Sequence, residues 1–165
     1  MVGAILVDST VLIRLVTGEQ GADFAVNLLS RAEKGIEDVV IPSTALYEML
    51  VAAGYAAASA ILETDDVKEI VEALVKPENR EAVQEKLRII AAYFAQMIDT
   101  GRIIVYSVTG KDVMAAAEKA AKSSLTLRDA LTLVVADRLG IQKIATFSKE
   151  LREKTRRGYT FLPTS

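Results

Sequence analysis

The chain has 165 residues, of which 51% are hydrophobic, and 20 basic against 22 acidic side chains give a net charge of −2. That size fits a single domain over 1–165 with a sizeable core, and the charge balance leaves any nucleic-acid contact to a local patch. Cysteine and histidine are both absent, which excludes disulfides, thiol nucleophiles, Ser-His-Asp triads and Cys- or His-ligated metals. Hydrolytic chemistry is left to carboxylates, hydroxyls and a hard cation that prefers oxygen ligands.

In chain order, short apolar runs alternate with longer helical patterns. Residues 3–7 read as a strand buried on both faces, followed by a short helix over 9–16. "ADFAVNLLSRAEKG", 22–35, is an amphipathic helix with Gly35 as its C-cap. "DVVIP" is a second strand, and Ser43 or Thr44 caps a helix that runs to about Leu62. Within it, "MLVAAGYAAASAIL" is the most membrane-like segment, but its 14 residues fall short of the ~20 that span a bilayer. With no signal-peptide pattern at the N-terminus, a soluble, cytoplasmic protein without membrane contact is expected.

Two helices follow over 66–75 and 78–99, separated by Lys76-Pro77. The second carries an apolar stripe of Val83, Leu87, Ile90, Phe94 and Met97. "RIIVYSV" is a third strand, and Thr109 with Asp112 makes a capping-box pattern for a helix to about Lys122. A further helix over 126–139 ends at Gly140. "QKIATF" is a fourth strand, 148–157 a short charged helix and "YTFL" a fifth strand. Strands alternating with helices predict a parallel sheet covered on both faces, with ligands collecting at the carboxyl ends of the strands.

Three carboxylates interrupt apolar surroundings. Asp8 stands at the mouth of the first strand, Glu48 lies in "STALYEMLVAAG" among small side chains, and Asp129 lies in the first turn of "LTLRDALTLVVADRLG". Each has an ordinary alternative. Asp8 can accept N–H groups of the helix that begins at Ser9, Glu48 can lie at the wet edge of its helix, and Asp129 can complete a capping box with Thr126. The order and context of the three together are far more specific than any one of them.

On those residues the chain resembles PIN-domain proteins, and more narrowly the VapC-type ribonuclease toxins of toxin–antitoxin pairs. "LVDSTVLIRL" resembles the opening strand and its Asp-Thr-Asn-like turn. "IPSTALYEML" is similar to the helix start bearing the family's Glu. "SLTLRDALTLVVADRLGIQKIATFSKEL" resembles the segment from the central Asp to a Thr-x-Asp motif. The resemblance implies a three-layer α/β/α sandwich around a five-stranded parallel sheet. It also implies a groove in which Asp8, Glu48 and Asp129 bind Mg²⁺ or Mn²⁺ and cut single-stranded RNA. A cognate antitoxin protein is the implied partner, and a second copy of the chain is expected from an apolar content above that of an ordinary monomer of this size.

Independently of the resemblance, carboxylates forced together repel one another unless a cation is bound. Ser9, Thr10, Thr146 and Ser148 are candidate supporting hydroxyls. The chain departs from the family pattern at two places. Ser148 stands where a fourth acidic residue is usual, and Thr10 where Asn is common; Glu150 and Asp137 are the candidate substitutes for the missing charge. Ser148 therefore keeps a second function open, a catalytically weak PIN module that binds RNA or a protein partner. A phosphoryl-transfer domain with Asp8 as nucleophile is disfavoured by Thr10, because the dehalogenase pattern places a second Asp there. The basic tail of Lys149, Arg152, Lys154, Arg156 and Arg157 is either a solvated helix face or a phosphate-contacting rim.

Overall fold

The structure, a computed structural model, describes residues 3–155 and 158–164. Five strands, β1 (Ile5–Val7), β2 (Val39–Pro42), β3 (Ile103–Tyr106), β4 (Lys143–Ala145) and β5 (Thr160–Leu162), form one parallel sheet in the order β3-β2-β1-β4-β5. The helices are α1 (Ser9–Thr17), α2 (Ala22–Glu33), α3 (Ser43–Leu62), α4 (Val67–Ala73), α5 (Pro77–Asp99), α6 (Gly110–Ser123), α7 (Leu127–Leu139) and α8 (Lys149–Lys154).

The two-residue period of the strands divides the core between the sheet's faces. Ile5, Val7, Val39, Ile41 and Ile103 point to one side and pack with Leu12, Leu29, Met49 and Phe94 from α1, α2, α3 and α5. Leu6, Val40 and Ile144 point to the other and pack with Ala116 of α6 and Leu133 and Val135 of α7. Both faces are covered, as the strand–helix alternation predicts, and the result is the three-layer α/β/α sandwich. A third apolar cluster of Ala57, Ala58, Ile70 and Val83 ties α4 and the start of α5 to the end of α3.

The strands are shorter than the apolar runs suggest. The fourth stops at Ala145, because Phe147 and Ser148 donate their N–H groups to threonine hydroxyls and not to a neighbouring strand. Helix α2 ends one turn residue before expected. Gly35, at φ +70°, lies just beyond the cap residue Lys34, and its N–H bonds to Ala32 O while that of Ile36 bonds to Arg31 O. The charged helix is confined to Lys149–Lys154, and Arg156 and Arg157 of the basic tail lie outside the described residues.

Helix α3 runs for 20 residues, long and apolar enough to cross a membrane by length and composition alone. In this fold it follows β2 without a break and packs against α1, α4 and α5. Its buried positions are Ala45, Met49, Ala53, Ala57 and Ala58. The small alanine side chains let the neighbouring helices approach closely on that face, while Tyr47, Val51 and Tyr55 leave the opposite side of the helix exposed.

Candidate active site

The chain leaves β1 for β2 and β3 on one side of the sheet, then returns to place β4 on the other side of β1. The carboxyl ends of β1 and β4 therefore flank a switch point, where a crevice opens in sheets of this kind. Asp8 follows the end of β1, and Thr146, Phe147 and Ser148 follow the end of β4. The Asp8 N–H bonds to Ala145 O at 2.9 Å and locks the two strand ends together.

Asp8 is 1% exposed. Although it occupies the N-cap position of α1, its side chain makes no capping hydrogen bond. Three hydroxyls hold it instead. Thr10 Oγ1 and Thr146 Oγ1 donate to Oδ2 at 2.7 and 2.8 Å, and Thr132 Oγ1 approaches Oδ1 at 3.2 Å. Two of these hydroxyls are themselves oriented from behind. Phe147 N–H donates to Thr10 Oγ1 at 2.9 Å, and Ser148 N–H donates to Thr146 Oγ1 at 3.0 Å. With one lone pair of each hydroxyl occupied by an amide, its proton is directed at the carboxylate. The buried carboxylate is met by aimed dipoles, and it makes no ion pair among the described residues.

Asp129 is buried to the same extent, in the first turn of α7. Its N–H donates to Thr126 Oγ1 at 3.2 Å, which is half of a capping box; its side chain goes elsewhere. Ser148 Oγ donates to Asp129 Oδ2 at 2.8 Å, whereas Oδ1 is buried with no hydrogen-bond partner among the described residues. Arg128 Nε stands 3.9 Å from Oδ1. Burial pushes the Asp129 carboxyl above the usual range and the charge of Asp8 adds to that, against the Ser148 hydrogen bond, which pulls it down.

Asp8, Thr10, Thr132, Thr146, Ser148 and Asp129 thus form one hydrogen-bonded cluster. Thr132 is the member that sequence reasoning missed. It is the one hydroxyl between Asp129 and Asp137 in an otherwise apolar stretch of α7, one turn after Asp129, and that spacing was the available signal. Glu48 is not in the cluster; it is half-buried on α3 and makes no hydrogen bond or ion pair among the described residues. Nor does any group of three or more Asp or Glu among those residues lie close enough together to hold a metal ion. Ser9 is buried, and its hydroxyl has no hydrogen-bond partner among the described residues.

Neither candidate substitute for the fourth charge joins the pair. Asp137 lies at the far end of α7, about 12 Å along the helix from Asp129 at 1.5 Å per residue, and binds Lys119 at 2.8 Å and the Tyr159 hydroxyl. Glu150 pairs with Lys154. Asp112, also fully buried, has a structural role. It completes the capping box with Thr109 and meets Arg138 Nε at 2.6 Å and the Tyr106 hydroxyl at 3.2 Å.

The donor set tests whether a metal fits. It is oxygen-only and contains two buried carboxylates within electrostatic reach of each other. One of their oxygens, Asp129 Oδ1, is buried without a hydrogen-bond partner among the described residues and has only the charge of Arg128, 3.9 Å away, to offset it. A hard divalent cation satisfies such an oxygen and removes the repulsion between the pair.

A family model described as "PIN domain" matches residues 5–156. Among solved structures, the chain is similar to PAE2754 from Pyrobaculum aerophilum, with a TM-score of 0.52 and 21% identity, over 98% of this chain and 90% of that one. At that identity the similarity bears on the fold. No curated protein matches.

Proposed function

The chain belongs to the PIN-domain family, and on that premise we propose that it is a Mg²⁺- or Mn²⁺-dependent endoribonuclease that cleaves single-stranded RNA as the toxin of a toxin–antitoxin pair. PIN domains are generally metal-dependent nucleases, so phosphodiester hydrolysis is the coarse assignment. One observation carries the reading. Asp8 and Asp129, from opposite ends of the sequence, are linked through Thr146 and Ser148 at the switch point, with Asp129 Oδ1 left bare.

Asp8 and Asp129 are the residues to hold the cation, with the Ser148 hydroxyl beside them. A bound divalent ion supplies Lewis-acid polarisation of the phosphodiester and makes water more acidic. The protein's own work is positional. Thr10, Thr132 and Thr146 fix the orientation of Asp8, and the walls of α1 and α7 keep water from the carboxylates. Because burial raises the Asp129 carboxyl, protons compete with a cation for it more effectively than for an ordinary Asp, and cation binding weakens as pH falls.

Purified protein incubated with single-stranded RNA should nick it in Mg²⁺ or Mn²⁺ and stop on chelation, and Asp8→Asn should be inactive. Cleavage that persists after complete metal removal overturns the reading.

Ser148 at the usual acidic position and Glu48 outside the cluster favour a second reading, a module that binds RNA or protein and cleaves slowly or not at all. In either case a cognate antitoxin protein and a second copy of this chain are the partners, and the cytoplasm is the compartment. An apolar groove of about 480 Å³ between α3, α4 and α5 supports a protein partner, with Tyr47 70% exposed at its rim.

A further inference from the structure

Around Phe147 lies another concavity of about 720 Å³, a size typical of small-ligand sites. Its walls include Arg14 of α1, Gly21 and Phe24 at the start of α2, and Phe147, Lys149 and Arg152 around α8, with one acid, the exposed Asp23, on the same lining. It adjoins the candidate active site directly. The Phe147 N–H donates to Thr10 Oγ1, and the Thr10 O–H donates to Asp8 Oδ2.

We propose that this concavity is a nucleotide subsite. It takes one unstacked nucleotide of single-stranded RNA next to the phosphodiester at Asp8, with Arg14 and Lys149 on its phosphate and Phe24 and Phe147 against its base. The proposal rests on the RNA-directed reading above and adds to it where the strand lies.

The lining has both chemistries that a single strand requires, an aromatic platform and cations. Phe24 and Phe147 meet edge to face with ring centroids 5.9 Å apart, and the Arg14 guanidinium stands 4.0 Å over the Phe147 ring. Gly21 makes this arrangement available. A Cβ built there would lie 2.5 Å from Phe147 Cζ, and the residue's φ of +100° disfavours any L side chain.

The cations differ in what they have left to give. Arg152 is already bonded to the carbonyls of Thr146, Leu162 and Pro163, so it builds the wall and ties α8 to the C-terminal segment. Arg14 has one N–H on Gln20 O and others remaining. Lys149 is exposed and makes no ion pair among the described residues. These two lie beside a carboxylate pair that repels phosphate, in a protein of net charge −2. Local cations of this kind are what docks an anionic strand against such a field.

The test uses the full chain and a fluorescein-labelled 2′-O-methyl oligoribonucleotide of mixed sequence, which binds without being cut. Fluorescence anisotropy across a salt series should show that Lys149→Gln and Arg14→Gln each weaken binding and together reduce the salt slope by about 1.4. Phe24→Leu should weaken binding about tenfold. Photocrosslinking of a 4-thiouridine-containing strand to the unaltered protein should map to Phe24, Phe147 or a residue beside them. That measurement is independent of how well any variant folds. Binding unaffected by Lys149→Gln and Phe24→Leu, with crosslinks elsewhere, overturns the subsite, as does a protein that binds no RNA. If the strand binds and crosslinks here but cleavable RNA is left intact, the subsite stands and the nuclease reading fails.

Discussion

The Ser148 hydroxyl donates to Asp129 Oδ2 at 2.8 Å while its oxygen accepts the Leu151 N–H at 3.2 Å. One small side chain therefore caps α8 and holds a buried carboxylate, at the position where the family pattern has a further acid. The missing charge is replaced by a hydrogen bond, and the pair of carboxylates stays a pair.

Ser148→Asp tests that exchange. Aspartate caps a helix about as well as serine, so α8 should keep its start. The donor to Asp129 is lost and a third charge arrives. Without metal, stability should fall by about 2 kcal/mol, the cost of an unsatisfied buried acceptor. With Mn²⁺ the order should reverse, because unit charges ~4 Å apart attract by about 4 kcal/mol even at an effective dielectric of 20. Calorimetric Mn²⁺ titration and melting curves with and without chelator decide. Unchanged affinity and unchanged melting would separate Ser148 from the site.

Asp8 and Asp129 should respond in opposite ways to the same substitution. Both oxygens of Asp8 accept hydroxyl protons. Asn offers one acceptor and turns its NH₂ toward donors, so Asp8→Asn should destabilise the metal-free protein by ~1–3 kcal/mol. Asp129→Asn can keep its carbonyl on Ser148 and turn the NH₂ to the side where Oδ1 is bare, so its metal-free stability should hold or rise. Melting in chelator at pH 7 separates the two. Equal losses would mean that the hydroxyl cage around Asp8 does not form.

The fold was legible because its cues are local and repeated. Asp8, Glu48 and Asp129 each break an apolar pattern, and Gly35 and Gly140 mark helix ends by their left-handed conformation. What pairs with what was not legible. The one-turn spacing from Asp129 marks Thr132 as facing the same way, but it does not show that the hydroxyl reaches Asp8, 124 residues away in the chain. Asp112 and Asp129 have the same cap-box spacing from a threonine, three residues upstream. Yet one returns to its cap and the other turns to Ser148, a choice made by Arg138 on one side and by the β4 turn on the other.

That divergence gives the two aspartates opposite effects on stability as pH changes. Hydrogen bonds from the Thr109 hydroxyl and backbone hold the Asp112 carboxyl below its ordinary range, with Arg138 assisting. Its folded state releases the proton more readily than the unfolded chain, so its contribution is present above the unfolded pKa and is lost as pH falls through the depressed value. Asp129 is raised by burial. There the native state binds the proton more tightly, and stability is lost as pH rises through the elevated value. In chelator, Asp112→Asn should be strongly destabilised at pH 7 and approach the parent in acid. Asp129→Asn should show its advantage at pH 7 and lose it on acidification. Melting temperatures from pH 3 to 7 measure both. Parallel curves for the two variants would mean that the buried Asp129 is as well satisfied as Asp112, and the case for a cation at its bare oxygen would fall with it.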